Sequence, residues 1–232
     1  MYKSGKYRET DKMSDLICDN YPMVLVLNRF GIDLGFGEQS IKDVCLLYDV
    51  NLCTFLTVVN FLVEKVSNPV MNIEQDFSLE ALISYLHNAH AYFIDFRLPH
   101  LREKLVGAIE GCPDDVRIVI IKFFDEYSSE VYKHMSYEET TVFSYVRELL
   151  KGEKNTKYSI SIFSKRHDQI EMKIVELKNL LIKYYPGPGN HLLNSVLFDL
   201  FATEEDLVSH SHVEDFLFIP AIRELEKRGV KI

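Results

Sequence analysis

Two short stretches carry the residues best suited to chemistry, His134-Met-Ser-Tyr-Glu138 and His210-Ser-His-Val-Glu214. Each sets a histidine four residues ahead of a glutamate. On a helix that spacing puts both side chains on one face, one turn and about 6 Å of rise apart, so an imidazole nitrogen and a carboxylate oxygen can reach a common point. A single such pair reads as a solvated ion pair. Here there are two copies in matching surroundings. Each glutamate is followed by a second acid, Glu139 or Asp215, and eight residues after each glutamate comes one pattern, Val146-Arg-Glu-Leu149 or Ile222-Arg-Glu-Leu225. A lone histidine precedes each pair at nearly the same distance, His90 by 44 residues and His167 by 43.

The repeat therefore proposes a set of six: His90, His134, Glu138, His167, His210 and Glu214. Burying two carboxylates and four imidazoles in an apolar core is costly without a counter-charge, and a bound cation supplies one. Six ligands shared between two ions leave open coordination positions, and each carboxylate can bridge the pair. Imidazole suits iron, copper, zinc and nickel, while magnesium and calcium prefer more oxygen. No cysteine stands in either half-site. A pair of iron ions is the expected cofactor, with zinc or manganese able to occupy the same place. His87, Glu139, His212 and Asp215 point at other helix angles and are read as supporting or surface groups. His100 and His191 follow turn signals and are expected to be exposed. Tyr85, Tyr92, Tyr132 and Tyr137 are read as core or rim aromatics.

These residues need long helices to hold them. Apolar residues recur at helical spacing almost throughout, and runs rich in β-branched residues, such as 116–124, sit inside longer periodic stretches that read as buried helix. The chain is all-α on this reading. From Ser78 onward the pattern predicts four helices, over 78–110, 113–151, 158–185 and 190–228. They are separated by Gly111-Cys-Pro113, Lys151-Gly-Glu-Lys-Asn155 and Pro186-Gly-Pro-Gly189, and such short connections favour an up-down four-helix bundle. Pro99 and Pro220 should kink or end the regular part of the first and fourth helices. Before the bundle, shorter helices are expected: one capped by Ser14, one over 22–30 stopped by Gly31, one over 41–48 capped by Ser40, and one capped by Asn51 running to Val66. Residues 67–76 break the pattern and read as a linker. The organisation expected is a small helical domain over 1–72 and a metal-binding bundle over 73–232.

Composition fits a folded, water-exposed chain. Of 232 residues 47% are hydrophobic and 26% charged, with a net charge of −9, which argues against nucleic acid or an anionic membrane as partner. The first residues are polar, and no segment approaches the roughly 20 apolar residues of a membrane span, so the expected location is cytoplasmic. The four cysteines, Cys18, Cys45, Cys53 and Cys112, lack C-x-x-C spacing and are read as buried free thiols.

The sequence resembles the hemerythrin-like cation-binding family, and more closely its ScdA/YtfE-like repair-of-iron-centres proteins. The resemblance rests on Asn88-Ala-His90 followed by Leu98-Pro99, on His134-x-x-x-Glu138-Glu139, on Arg166-His167-Asp168, and on His210-x-x-x-Glu214-Asp215 before Phe218-Ile-Pro220. It implies a non-haem di-iron centre held by the same six residues, with the two glutamates as bridges. It also implies binding of nitric oxide or dioxygen in nitrosative or oxidative stress, with reduction of nitric oxide or repair of iron-sulfur proteins as associated activities. A sensor without turnover is the alternative. The amino-terminal part is similar to the small ScdA-type domain through Tyr21-Pro22, Arg29-Phe-Gly-Ile-Asp33 and Ser40-Ile41 with Cys45. Relatives usually carry a cysteine pair after that Ile-Asp. Here Leu34-Gly-Phe-Gly37 stands in its place, which weakens any role needing thiol exchange or iron delivery.

Overall fold

The computed structural model describes residues 6–64, 77–153, 158–163, 168–186 and 190–229. The fold is all-α, with no strand among the described residues and one isolated bridge between Lys12 and Ser40. No helix among them is long and apolar enough to cross a membrane. The expected linker, 67–76, lies outside the described residues.

Four helices open the chain: α1 (Met13–Asp19), α2 (Met23–Arg29), α3 (Ile41–Leu47) and α4 (Leu52–Glu64). Ser40 accepts from the Asp43 N–H at 3.2 Å, and Asn51 Oδ1 accepts from the Thr54 N–H at 2.8 Å, so these helices start where capping chemistry places them. Ser14 does not cap α1. The helix enters at Lys12, where the Met13 N–H donates to the Gln39 carbonyl at 3.1 Å; a tertiary bond does the cap's work. Gly31 ends α2 at φ 71°, a conformation open to glycine without strain.

The later helices are longer, and three of them are interrupted by wide π turns. The first runs as α5 (Leu79–Ala91), the turn π1 (Tyr92–Arg97) and α6 (Leu98–Ala108). The second is α7 (Asp114–Tyr137), π2 (Glu138–Val142) and α8 (Phe143–Leu150). The fourth is α10 (His191–Val213), π3 (Glu214–Phe218) and α11 (Ile219–Gly229). The third differs from expectation. Residues 160–162 form a short 3-10 turn, and the helix described is α9 (Asp168–Tyr184). Ile160 and Phe163 are both fully buried, and spacing by three is what stacks two side chains on one side of a 3-10 turn.

The chain forms two compact units. One comprises residues 1–89, 146–155 and 212–232. Within it Tyr7 pins the amino-terminal segment: its N–H donates to Asn60 Oδ1 at 2.6 Å, its carbonyl accepts from Asn60 Nδ2 at 3.0 Å, and its hydroxyl donates to Asp19 at 3.2 Å. Phe30 packs against Phe55 and Tyr85, and Asn88 Nδ2 donates to the Arg29 carbonyl at 2.8 Å. Thus α2 is fastened to α5 next to its last turn.

The other unit comprises residues 90–145 and 156–211. Its core joins Phe93, Leu105, Phe124, Val131, Leu177 and Val196. Arg97 clamps α10, its guanidinium donating to Thr203 Oγ1 and to the Asp199 carbonyl, both at 2.8 Å, while Lys104 reaches Asp199 at 2.6 Å. Asn190 caps α10 through the Leu193 N–H at 2.6 Å and donates to the Ala108 carbonyl at 3.2 Å. Not all of the 116–124 run is buried as expected: Ile118 and Val119 lie on the outward face of α7, more than half exposed.

Candidate metal centre

The histidines and glutamates singled out by the repeat stand where α-helix gives way to π turn. His90 lies in the last turn of α5, two residues before π1. His134 lies in the last turn of α7 and Glu138 opens π2; His210 lies in the last turn of α10 and Glu214 opens π3. In each half-site the glutamate's own carbonyl receives the wide hydrogen bond, from the Phe143 N–H onto Glu138 and from the Ile219 N–H onto Glu214. A π turn is one extra residue fitted into a helix, and it shifts the register of everything after it. The ligand pair therefore keeps α spacing, while the chain beyond is turned onto a new face. In π2 the Thr140 hydroxyl donates to the Ser136 carbonyl at 2.8 Å, satisfying an acceptor at the place where the ladder widens.

Prolines account for only part of this. Pro99 follows π1 and Pro220 follows π3, each as the second residue of the resumed helix. The break in regular α-helix thus falls ahead of each proline, not at it. π2 has Ser144 at the matching position and forms without a proline.

The side chains converge. His90, Glu138, His210 and Glu214 each offer one ligand atom, and these atoms lie within 4.8 Å of one another. His90 and His210 are 2% exposed, and both glutamates are fully buried. Glu138 faces two imidazoles at once: Oε2 is 2.9 Å from His90 Nε2, and Oε1 is 2.8 Å from His134 Nε2. His90 Nε2 is also 3.2 Å from His210 Nε2. Of the six expected ligands, four form the cluster and His134 joins through Glu138. His167 lies outside the described residues.

Aromatic rings wall the site. Phe143 stacks on His90 with ring centres 5.5 Å apart and planes within 1°, Phe163 stacks on His134 at 6.1 Å, and Phe93 meets His210 edge-on at 5.9 Å. Such rings exclude water and fix the imidazole planes. Glu139, read as a supporting group, has a defined place: its Oε1 is 2.7 Å from His90 Nδ1. The stacking residues carried no mark in the sequence beyond being apolar. The second acid was visible as the repeated Glu138-Glu139 and Glu214-Asp215.

The donor set fits a cation. Two buried carboxylates and imidazole nitrogens pointing at one another make a mixed nitrogen and oxygen environment of the kind that holds iron, zinc or manganese. The two oxygens of Glu138 face different imidazoles, so each could meet a cation beside its own histidine. The model of the hemerythrin HHE cation-binding domain matches residues 81–222. The chain belongs to the hemerythrin HHE cation-binding family. The match begins in α5 and ends in α11, so it takes in both half-sites and the upstream histidines of this hemerythrin-type domain. No curated protein matches the chain.

His87, His100, His191 and His212 are exposed. Tyr85 is buried and Tyr132 is 57% exposed. Of the cysteines, Cys45 and Cys112 are buried, Cys53 is half-buried and Cys18 is exposed; a uniformly buried set does not hold. Cys18 faces out because the short α1 buries only Met13 and Leu16.

Proposed function

We propose that this protein is a non-haem di-iron protein that binds nitric oxide or dioxygen in nitrosative and oxidative stress, its ions held by His90, His134, Glu138, His167, His210 and Glu214. The observation that carries the reading is Glu138, fully buried with one oxygen on His90 and the other on His134. When bound, the metals supply open coordination positions for a diatomic ligand and electrons for its reduction. The chain's own residues do the rest. The imidazoles and carboxylates fix the ligand field, and Phe93, Phe143 and Phe163 keep the pocket dry so that its charges act at full strength. A link to the ScdA/YtfE-like repair proteins follows from the motif resemblance. Leu34-Gly-Phe-Gly37, where relatives carry cysteines, makes ligand binding and reduction a better fit than thiol-dependent iron delivery.

A second reading, a sensor whose metal state changes contacts of the small domain over 1–72, is favoured by one contact. Asn88 holds the Arg29 carbonyl and lies two residues before His90. Metal analysis of protein from iron-supplemented cells tests the first reading, with about two irons per chain and an oxo-bridge absorption band expected in the oxidised form. Absence of any bound metal overturns it. Anaerobic diferrous protein that converts nitric oxide to nitrous oxide favours the reductase; binding without turnover favours the sensor.

A further inference from the structure

We propose that Glu139 is the positioning residue that sets the tautomer and ring orientation of His90. Consecutive carboxylates approach this one imidazole from opposite sides. Glu138 Oε2 lies 2.9 Å from Nε2, and Glu139 Oε1 lies 2.7 Å from Nδ1. A neutral imidazole has one N–H donor and one bare nitrogen. A carboxylate has only acceptor oxygens, so each contact asks for a proton on the nitrogen it meets. A cation held by Glu138, His210 and Glu214 would take the lone pair of Nε2 and leave the single proton on Nδ1, facing Glu139. The ring of Phe143, parallel to that of His90 within 1°, restrains its tilt but cannot choose between its nitrogens. With a cation on Nε2, Glu139 holds the proton on Nδ1.

Glu139 is itself poorly placed as a ligand. It meets the nitrogen on the far side of the ring from the cluster, and its side chain is 28% exposed whereas those of Glu138 and Glu214 are fully buried. Glu138 and Glu139, the first two residues of π2, thus meet one histidine, Glu138 from within the cluster and Glu139 from behind. Carboxylates so placed make an imidazole a better donor to a metal and typically account for about 10–100-fold in affinity.

The inference rests on the metal-binding reading, and zinc, a diamagnetic probe, separates the two. In the full-length zinc-loaded protein, nitrogen-15 NMR is expected to show His90 carrying a strongly downfield, slowly exchanging proton on Nδ1. Glu139→Ala should remove that signal and weaken zinc, measured against a competing chelator, by about 10–100-fold. Glu139→Gln, which keeps an acceptor oxygen of the same reach, should recover most of the affinity and move the proton upfield without abolishing it. Wild-type protein that takes up no zinc, iron or manganese defeats the metal-binding reading itself. Wild-type protein that binds zinc while Glu139→Ala binds equally well, with the His90 proton unmoved, overturns the role of Glu139 alone. Lost affinity with an unchanged His90 signal, not recovered by Gln, does so too. Should the Ala variant fail to fold, the proton shift in Glu139→Gln still decides the matter.

Discussion

The two half-sites share a backbone device and differ in the side chains that support it. In each, a histidine closes an α-helix, a glutamate opens a π turn, and the residue five positions on donates its N–H to that glutamate's carbonyl. In the first half-site that donor is Phe143, whose ring lies on His90; in the second it is Ile219, an aliphatic residue. Thr140 ties back to Ser136 in the first, where the second has Phe216 and His212. Pro220 follows the second turn, where the first has Ser144. His134 is partly exposed, whereas His210 is buried. The lesson is that in these half-sites the wide turn depends on no one helper residue, since two different sets of helpers accompany the same turn.

The largest test of that equivalence is removal of the glutamates. Glu138→Ala takes away the oxygens facing His90 and His134, and the matching change is Glu214→Ala. Each is expected to drop bound metal from about two ions to below one per chain, with affinity falling on the order of 100-fold. Metal content after desalting reads this, and equal losses support two equivalent bridges. Loss in one variant only would break the comparison.

Phe143→Ala comes next. It empties a fully buried position and should cost about 3–5 kcal/mol in urea unfolding, with His90 freed to tilt. Ile219→Ala, its counterpart, should cost about 2–5 kcal/mol and leave the imidazole planes alone. Metal affinity measured on both variants reads the difference, expected to fall further for Phe143→Ala.

Thr140→Val should have a smaller effect, about 0.5–1.5 kcal/mol for the lost hydrogen bond. It should act on the first half-site alone and raise the rate at which metal leaves to a chelator. No change in either quantity would mean that π2 stands without this support.

The smallest expected effect lies outside both half-sites and serves as their control. Burial, aided by the neighbouring carboxylate of Asp19, pushes the Tyr7 phenol up to about 12 from the usual 10.0. The folded state therefore holds this proton more tightly than the unfolded chain. Its contribution is full below pH 10 and is lost as pH rises toward 12. Tyr7→Phe should flatten that part of the alkaline stability profile and leave metal binding as in the wild type.

Much of this was legible in the residues, for reasons that also explain what was not. Histidine and glutamate four apart on a helix must share a face, so the half-sites could be read directly, as could the caps at Ser40 and Asn51, whose side-chain bonds are local. The π turns could not. Nothing in Glu138-Glu-Thr-Thr-Val142 favours five-residue register over four; the preference comes from packing the residues beyond it. Ser14 misled because α1 is entered through a bond to Gln39, distant in sequence. The segment before α9 read as helix from its apolar content, yet Ile160 and Phe163 reach the core from a single 3-10 turn. Ile118 and Val119 show that an apolar residue in a helical pattern is not thereby buried.

Each π turn also has a genetic consequence. The Phe143 N–H reaches the Glu138 carbonyl across five residues, so deleting the Thr141 codon would make Phe143 the fourth residue on, turn the wide bond into an ordinary α bond and leave 143–150 on the faces they now hold. Tyr145 and Val146 would stay buried and Arg147 exposed, and the change would fall on the turn itself, on the residues just after Glu138. Along α8 and α11 the loss of one residue would turn all that follows by about 100°, whereas at π2 and π3 it would be absorbed, so these two places should tolerate a change in the number of letters better than the helices that follow them.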